Sequence, residues 1–213
     1  MTVDLLHVYC DGACFRNPGG PGGWGVVALR AGAELLARFG GEPETTNNRM
    51  ELMGAIMALE LTSGPVLVRS DSKYVVNGIT VWVAGWKKRN WTTKGGRRNG
   101  AGEPVKNRDL WERLDDLRSR RAARFEWVRG HAGNAGNERA DELATAGALQ
   151  AAGITMPFES LLDGCRSCKN FIAPRACRQP WMSLAYERSP LGACGPDRRN
   201  FTPRTTSIPE AAE

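Results

Sequence analysis

The chain has no hydrophobic run long enough to cross a membrane. A spanning helix needs about 18 or more consecutive apolar residues, and no such stretch occurs among these 213 residues. The first residues also lack the basic segment and the small-residue cleavage site of a secretory signal peptide, because Asp4 and His7 interrupt their short apolar run. These absences favour a cytoplasmic protein with no membrane partner.

Neither disorder nor a fibrous repeat fits the composition. Hydrophobic residues make up 41% of the chain and charged residues 24%, which is close to ordinary globular usage. The six cysteines would suit the disulfides of a small secreted domain, but two lie near the N-terminus and four lie in the last third. In a cytosolic chain this distribution favours metal ligands or free thiols over disulfides.

The excess positive charge lies in one segment. The net charge is +6, and the stretch from Trp86 to Arg108 alone holds eight Lys or Arg residues against one Glu. A solvated loop can have this composition, but Trp82, Trp91 and Trp111 lie in or beside the stretch, and tryptophan next to cations is typical of nucleic-acid binding. The segment therefore indicates an anionic partner. We expect most of the rings to anchor the segment by packing rather than to contact that partner.

The pattern of apolar residues predicts one α/β domain over residues 1–150. Three strands, a helix, a strand, further helices, a strand and a last helix follow one another, as in a three-layer domain. The segment 17–23 holds four glycines and two prolines and predicts a turn. Asn134 and Asn137 are alternative N-caps of the last helix. Strands are predicted at 5–11, 24–29, 34–39, 66–68 and 124–128, and helices up to Leu61 and at 72–79, 81–88, 107–120 and 134–149.

Four acids are candidates for a shared site. Asp11 ends the first strand and Asp71 ends the fourth, so parallel pairing of these strands would bring both carboxylates to one edge of the sheet. Glu51 lies early in the intervening helix, and Asp141 lies in the last helix. Taken singly, each acid also fits an ordinary strand end or helix start. Packed together, they would repel one another unless cations such as Mg²⁺ or Mn²⁺ occupied the cluster.

The local sequences around these acids resemble those of one known family. In chain order they read DGAC at 11–14, NPG at 17–19, TTNNRMEL at 45–52, SDS at 70–72, WKK at 86–88, PVKNRDLW at 104–111, GHAG at 130–133 and NERAD at 137–141. In order and type these motifs resemble bacterial ribonuclease H type 1, the endonuclease that cuts the RNA strand of RNA–DNA hybrids. The resemblance covers about residues 5–149. It implies a three-layer α/β ribonuclease H-like fold with a five-stranded mixed sheet, three antiparallel strands followed by two parallel ones, flanked by helices.

The resemblance also implies a two-metal catalytic site. Asp11 would bridge two Mg²⁺ ions, for which Mn²⁺ can substitute, and Asp141 would join it at the ion that activates the attacking water. Glu51 and Asp71 would complete the ion that stabilises the leaving 3′ oxygen, so that the products carry 5′-phosphate and 3′-hydroxyl ends. His131 matches the family's loop histidine, which is thought to assist proton movement or product departure.

The expected partner is an RNA–DNA hybrid duplex. Short polar groups beside the metal site, such as the backbone of Gly12 and the side chains of Asn17, Asn48 and Glu51, would read the 2′-hydroxyl, and Thr46 with Asn17 would hold a DNA phosphate. Contacts from the basic segment to phosphates carry no sequence information, so cutting should be sequence-independent and strongly salt-dependent. The implied substrate-binding residues are Gly12, Cys14, Asn17, Thr46, Asn47, Asn48, Lys73, Trp82, Lys87, Lys88, Lys94, Lys106 and Asn107.

The remainder of the chain lies outside the resemblance. We predict a small irregular, cysteine-rich extension over 151–201 and a disordered tail over 202–213. Cys165, Cys168, Cys177 and Cys194 offer four thiolates, enough for a structural Zn²⁺ site. The second pair lacks the close spacing of the first, so unliganded or redox-active thiols are the alternative.

Two other functions would also account for these sequence motifs. A catalytically inactive hybrid-binding module is disfavoured because all four carboxylates are present. A branched-DNA nuclease of similar fold is disfavoured by Asn17, Asn48 and the basic segment, which match hybrid recognition. We expect a monomer with no obligate protein partner.

Overall fold

The computed structural model describes residues 5–95, 100, 102–154, 171–173 and 176–177. The first unit of the chain, Met1–Ile154, is built on a five-stranded sheet. Its strands are β1 (Leu6–Cys14), β2 (Gly20–Arg30), β3 (Ala33–Thr45), β4 (Val66–Ser70) and β5 (Ala123–Trp127). Its helices are α1 (Asn47–Glu60), α2 (Lys73–Asn77), α3 (Val83–Lys88), α4 (Arg108–Ser119) and α5 (Ala135–Ala151), with a π-helical turn (Gly78–Trp82) between α2 and α3.

The sheet is mixed and has the order β3-β2-β1-β4-β5. β1, β2 and β3 pair antiparallel, whereas β4 pairs parallel to both β1 and β5. Successive residues of a strand point to opposite faces, and a Cβ at Gly22 would meet Met50 of α1 whereas one at Gly23 would meet Ala148 of α5. The two long helices therefore cover opposite faces of the sheet. This confirms the predicted three-layer α/β fold with its mixed five-stranded sheet.

The prediction of a turn over 17–23 is wrong in its second half. The turn ends at Gly19, and β2 begins at Gly20. The reason is tertiary, because a Cβ at Gly23 would lie 2.2 Å from the backbone nitrogen of Ala148. Glycine here lets α5 pack directly on the strand. Ala31 and Gly32 join β2 to β3 as a hairpin, and both have the positive φ that a two-residue turn requires.

The two short helices predicted at 72–79 and 81–88 are present as α2 and α3, but no break separates them. Residues 73–88 are helical throughout, with the π-helical turn where the break was expected. The backbone continues through this point in π-helical form, and the hydroxyl of Thr80 donates to the carbonyl of Val76. The other helices lie close to their predicted bounds. Thr46 caps α1 and Asn134 caps α5, so Asn137 is not the cap.

Tryptophans anchor the basic segment to the core. Trp111 of α4 is completely buried, and the ring centroids of Tyr74 and Trp86 lie 5.2 Å and 5.4 Å from its own. Trp91 is buried as well, whereas Trp82 is 38% exposed. The rings therefore serve mainly as packing anchors, as expected, and one remains accessible.

The second unit, Thr155–Glu213, is described only in part. Its described residues form an antiparallel pair, β6 (Phe171–Ala173) and β7 (Ala176–Cys177). Cys177 is in β7, whereas Cys165, Cys168, Cys194 and the predicted tail at 202–213 lie outside the described residues. In the part of the chain that the structure describes, no helix combines the length and apolar character needed to cross a membrane.

Candidate active site

Three carboxylates meet at the carboxyl edge of the parallel strands. Tyr9 of β1 pairs with Arg69 of β4, so Asp11 and Asp71, each two residues further on, reach the same edge. Glu51 approaches from the first turns of α1. One ligand oxygen from each of Asp11, Glu51 and Asp71 lies within 4.8 Å of the others. Asp11 and Glu51 are buried and Asp71 is half-buried.

Glu51 is held by its own helix and by the neighbouring strand. The Nδ2 of Asn47, one turn earlier in α1, donates to Oε1 of Glu51 at 3.1 Å. The helix can come this close to β1 because Gly12 has no side chain, and a Cβ there would lie 2.1 Å from the backbone nitrogen of Glu51. Asn47, expected as a substrate contact, thus orients a carboxylate in the structure.

Asp71 is fixed from the other side of the site. Asn137 of α5 donates from Nδ2 to Oδ2 of Asp71 at 3.0 Å. The indole Nε1 of Trp127 donates to the backbone carbonyl of Asp71 at 3.0 Å. Gly130 packs against the same carboxylate. Sequence reasoning missed Asn137, although its position one helical turn before Asp141 was a usable signal.

Asp141 is not among the acids whose ligand oxygens lie within 4.8 Å of one another. It is buried on α5. The preceding residue, Ala140, has its carbonyl against Gly25, which is paired with Asp11 across the sheet. The structure therefore brings three of the four predicted metal ligands together and places the fourth on the adjoining helix.

The candidate histidine lies on the loop that leads from β5 to α5. His131 is exposed and has a positive φ of 52°. It directly follows Gly130, so this loop borders the carboxylate site. The far end of the loop is held by Glu138, whose Oε1 accepts from the backbone nitrogen of Gly133 at 3.2 Å.

The short polar residues expected to bind substrate form one patch beside Glu51. The Sγ of Cys14 donates to the carbonyl of Thr45 at 3.5 Å, and Oδ1 of Asn17 accepts from the backbone nitrogen of Asn47 at 3.1 Å. Thr46 caps α1 with its side chain, and Asn48 is exposed in the first turn. The end of β1, the turn and the start of α1 are thereby joined into a single polar surface.

The basic segment presents a second surface. Lys88, Lys94 and Lys106 are exposed. The Nζ of Lys87 lies 2.7 Å from Oδ2 of Asp115, and this hydrogen bond raises the pKa of Lys87. Asn107 adopts a left-handed conformation and donates from Nδ2 to the Tyr74 hydroxyl at 3.3 Å, which joins the segment to the tryptophan anchors.

Lys73 carries a further positive charge to the rim of the site. It is exposed two residues after Asp71, and its Nζ lies 4.9 Å from the centroid of the Trp127 ring. A cation above an aromatic face is attracted by the ring. Because Trp127 also donates to the backbone of Asp71, this pair fixes the position of the ammonium group relative to the carboxylates.

The interior of the site is electrically negative. Burial raises the pKa of the Cys10 thiol well above its usual value, and the charges of Glu51, Asp11 and Asp71 raise it further. The same potential that disfavours a thiolate favours a cation. Oxygen donors in a negative pocket suit hard divalent ions, so these residues fit such an ion.

Comparison with known proteins identifies the family. A family model described as RNase H matches residues 4–149. Ribonuclease H of Thiobacillus denitrificans is 52% identical over 153 residues, which cover 71% of this chain and 98% of that protein. Ribonuclease H of Alcanivorax borkumensis is 55% identical over 142 residues, which cover 66% of this chain and 89% of that protein.

Solved structures give the same result. The crystal structure of LC9-RNase H1, described as a type 1 RNase H with the type 2 active-site motif, is 34% identical with a TM-score of 0.59 and covers 75% of this chain and 81% of that chain. The resemblance predicted from the sequence motifs is confirmed. By its sequence, its fold and its cluster of carboxylates, the chain belongs to the RNase H family.

Proposed function

We propose that this chain hydrolyses the RNA strand of RNA–DNA hybrids by two-metal-ion catalysis and leaves 5′-phosphate and 3′-hydroxyl ends. The observation that supports this most directly is the cluster of Asp11, Glu51 and Asp71, whose ligand atoms lie within 4.8 Å of one another in a member of the RNase H family. Such chemistry needs closely spaced oxygen ligands and a surface that accepts a charged duplex.

The proposed ions are Mg²⁺, with Mn²⁺ as a substitute. Asp11, Glu51 and Asp71 would hold them, and Asp141 on the adjoining helix would contribute to the ion beside Asp11. When bound, divalent ions supply Lewis-acid stabilisation of the attacking water and of the leaving 3′ oxygen.

Neighbouring side chains orient the carboxylates before substrate arrives. Asn47 restrains Glu51 and Asn137 restrains Asp71, each through one amide hydrogen bond. Preorganised ligands reduce the reorganisation that the reaction needs. His131 is proposed to assist proton movement or product departure, because it is exposed on a loop that starts at the site.

The polar patch beside Glu51 is proposed to recognise the hybrid. Gly12 through its backbone, and Asn17 and Asn48 through their side chains, would contact the 2′-hydroxyl group, which is present on the RNA strand alone. The Oδ1 of Asn17 is engaged with Asn47, which leaves its Nδ2 as the donor for a substrate oxygen. Thr46 would bind a phosphate of the DNA strand.

The basic segment is proposed to hold the duplex through its phosphates. Lys88, Lys94 and Lys106 are exposed, and Trp82 offers an accessible ring beside them. Lys87 can bind a phosphate only after its ion pair with Asp115 is broken. Such contacts are sequence-independent and weaken steeply with salt.

A cleavage assay on four substrates tests this function. Strand-labelled RNA–DNA hybrid, duplex DNA, duplex RNA and a four-way DNA junction would each be incubated with the full chain, with Mg²⁺ and again with a chelator. We expect metal-dependent cutting of the RNA strand of the hybrid alone. Binding of the hybrid without cutting would instead indicate a binding module, and cutting of the junction would indicate a branched-DNA nuclease.

The division of the chain into two parts, and the presence of zinc in the second part, are proposed separately from the activity. Residues 1–150 are proposed to carry the activity and 151–201 to form the cysteine-rich extension. Zinc analysis of the purified chain distinguishes a structural site from free thiols. A monomeric, cytoplasmic protein is likewise proposed, and light scattering checks its mass in solution.

A further inference from the structure

Asn137 lies in the first turn of α5 and contacts a carboxylate of the site without belonging to the acidic cluster. We propose that it is a positioning residue, which holds Asp71 in the orientation that binds a divalent ion. The inference rests on the metal site of the proposed function. It assigns a role to a neutral side chain that the sequence pattern indicated only as a candidate helix cap.

The geometry around Asp71 leaves its carboxylate little freedom. Its Oδ2 accepts from Nδ2 of Asn137 at 3.0 Å, and a Cβ on Gly130 would lie only 2.5 Å from that same oxygen. Its backbone carbonyl accepts from Trp127. Removing the Asn137 amide therefore removes the hydrogen bond by which α5 holds this carboxylate, and the side chain becomes free to rotate away from the cluster.

The burial of Asn137 argues against a purely structural role. The residue is 1% exposed, and its Oδ1 makes no hydrogen bond within the described part of the chain. A buried acceptor without a hydrogen bond destabilises the folded state. An apolar side chain of similar size would avoid this penalty. The amide is therefore better explained by the hydrogen bond that its Nδ2 donates to Asp71.

The chemistry of an amide suits this task. It donates a hydrogen bond to an ionised carboxylate without adding a charge that would compete with a cation. Asn137 also lies four residues before Asp141, on the same face of α5. One helix thus carries both the fourth predicted acid and the amide that donates to Asp71. Partners of this kind, behind the metal ligands, commonly change metal affinity or activity by about 10-fold to 100-fold when they are removed.

The test compares Asn137→Ala with a matched control, Thr62→Ala. Thr62→Ala also removes side-chain hydrogen bonds, one donated to the carbonyl of Ala58 and one accepted from Nη1 of Arg121, but Thr62 lies just before the start of β4 rather than at its carboxyl edge. Calorimetric titration of the free full-length chain with Mg²⁺ measures metal binding without substrate. We expect Asn137→Ala to raise the Kd for Mg²⁺ about tenfold and Thr62→Ala to leave it unchanged.

Cleavage and melting measurements complete the test. The Mg²⁺ concentration for half-maximal cleavage should rise with the Kd, while the KM for the hybrid and the Tm stay close to wild type. An unchanged Kd, or wild-type protein that binds no Mg²⁺, would overturn the inference. If the alanine variant fails to fold, Asn137→Ser replaces it, with the same expected loss. Wild-type protein that binds Mg²⁺ but cuts no hybrid would refute the proposed function and leave the Kd comparison decisive for Asn137.

Discussion

Replacement of Gly130 by alanine should slow hybrid cleavage about a hundredfold while the fold stays intact. A Cβ at this position would lie 2.5 Å from Oδ2 of Asp71, whereas ordinary contacts begin at 3.4 Å, so the carboxylate must move by about 0.9 Å. It cannot move freely, because Asn137 binds the same oxygen. A misplacement of about 1 Å in a catalytic group can lower the rate about 10²-fold.

Single-turnover cleavage of a labelled hybrid at saturating Mg²⁺ measures the effect. The Tm should change little, because Gly130 is half-buried and its φ is not in the positive range that strains alanine. Gly85→Ala is the matched control, since its Cβ would meet only the flexible guanidinium of Arg89 at 3.2 Å. This control should cut at the wild-type rate. A wild-type rate for Gly130→Ala would refute the account of how Asp71 is positioned.

Three further predictions concern charged side chains. Asp115→Asn should tighten hybrid binding roughly twofold to fivefold, because Lys87 then no longer has to leave its partner at 2.7 Å. Lys73→Gln should weaken binding and reduce the salt dependence of log Kd by about one, because a cation is lost 4.9 Å from the Trp127 ring. Both are measured by fluorescence anisotropy in chelator across a salt series. The hydrogen bond from Arg49 lowers the pKa of Asp109, so this pair stabilises the fold above the usual carboxyl pKa and loses its effect as pH falls through the lowered value. The Tm of Asp109→Asn should therefore fall less steeply than that of wild type between about pH 5 and pH 3.

The outcomes that contradict these three predictions are distinct. Weaker binding by Asp115→Asn would show that the acid supports Lys87 rather than competes with substrate. An unchanged salt dependence for Lys73→Gln would place this lysine away from the phosphates. Parallel Tm curves for wild type and Asp109→Asn would show that the pair with Arg49 does not contribute to acid stability.

The meeting of Asp11 and Asp71 was predictable because it depends on local pattern and on one topological rule. Each acid follows a run of apolar strand residues, and a helical crossover makes the two strands parallel neighbours, although β1 continues past Asp11 to Cys14. The register in the structure places both at the same edge. The hairpin at Ala31 and Gly32 was predictable for a similar reason, since it depends on residues close in sequence.

The features that were missed depend on contacts between distant segments. Gly20 to Gly23 have the composition of a turn, and the packing of distant segments makes glycine suitable for a strand there, with Met50 of α1 against Gly22 and Ala148 of α5 against Gly23. Asn134 and Asn137 are equally good caps in sequence, and the hydrogen bond of Asn137 to Asp71 is formed 66 residues away along the chain. Asn47 likewise matches a substrate contact in sequence, whereas the structure directs its amide to Glu51.

The central claim is that the carboxylate cluster cuts the RNA strand of a hybrid in a metal-dependent reaction. The most direct test compares wild type with Asp11→Asn on a hybrid labelled on both strands, with Mg²⁺ and with a chelator, and measures hybrid binding by the same proteins. The account predicts that wild type cuts only the RNA strand and only with Mg²⁺, and that Asp11→Asn binds the hybrid but does not cut it. Cutting by Asp11→Asn at the wild-type rate, or cutting of the DNA strand, would contradict it.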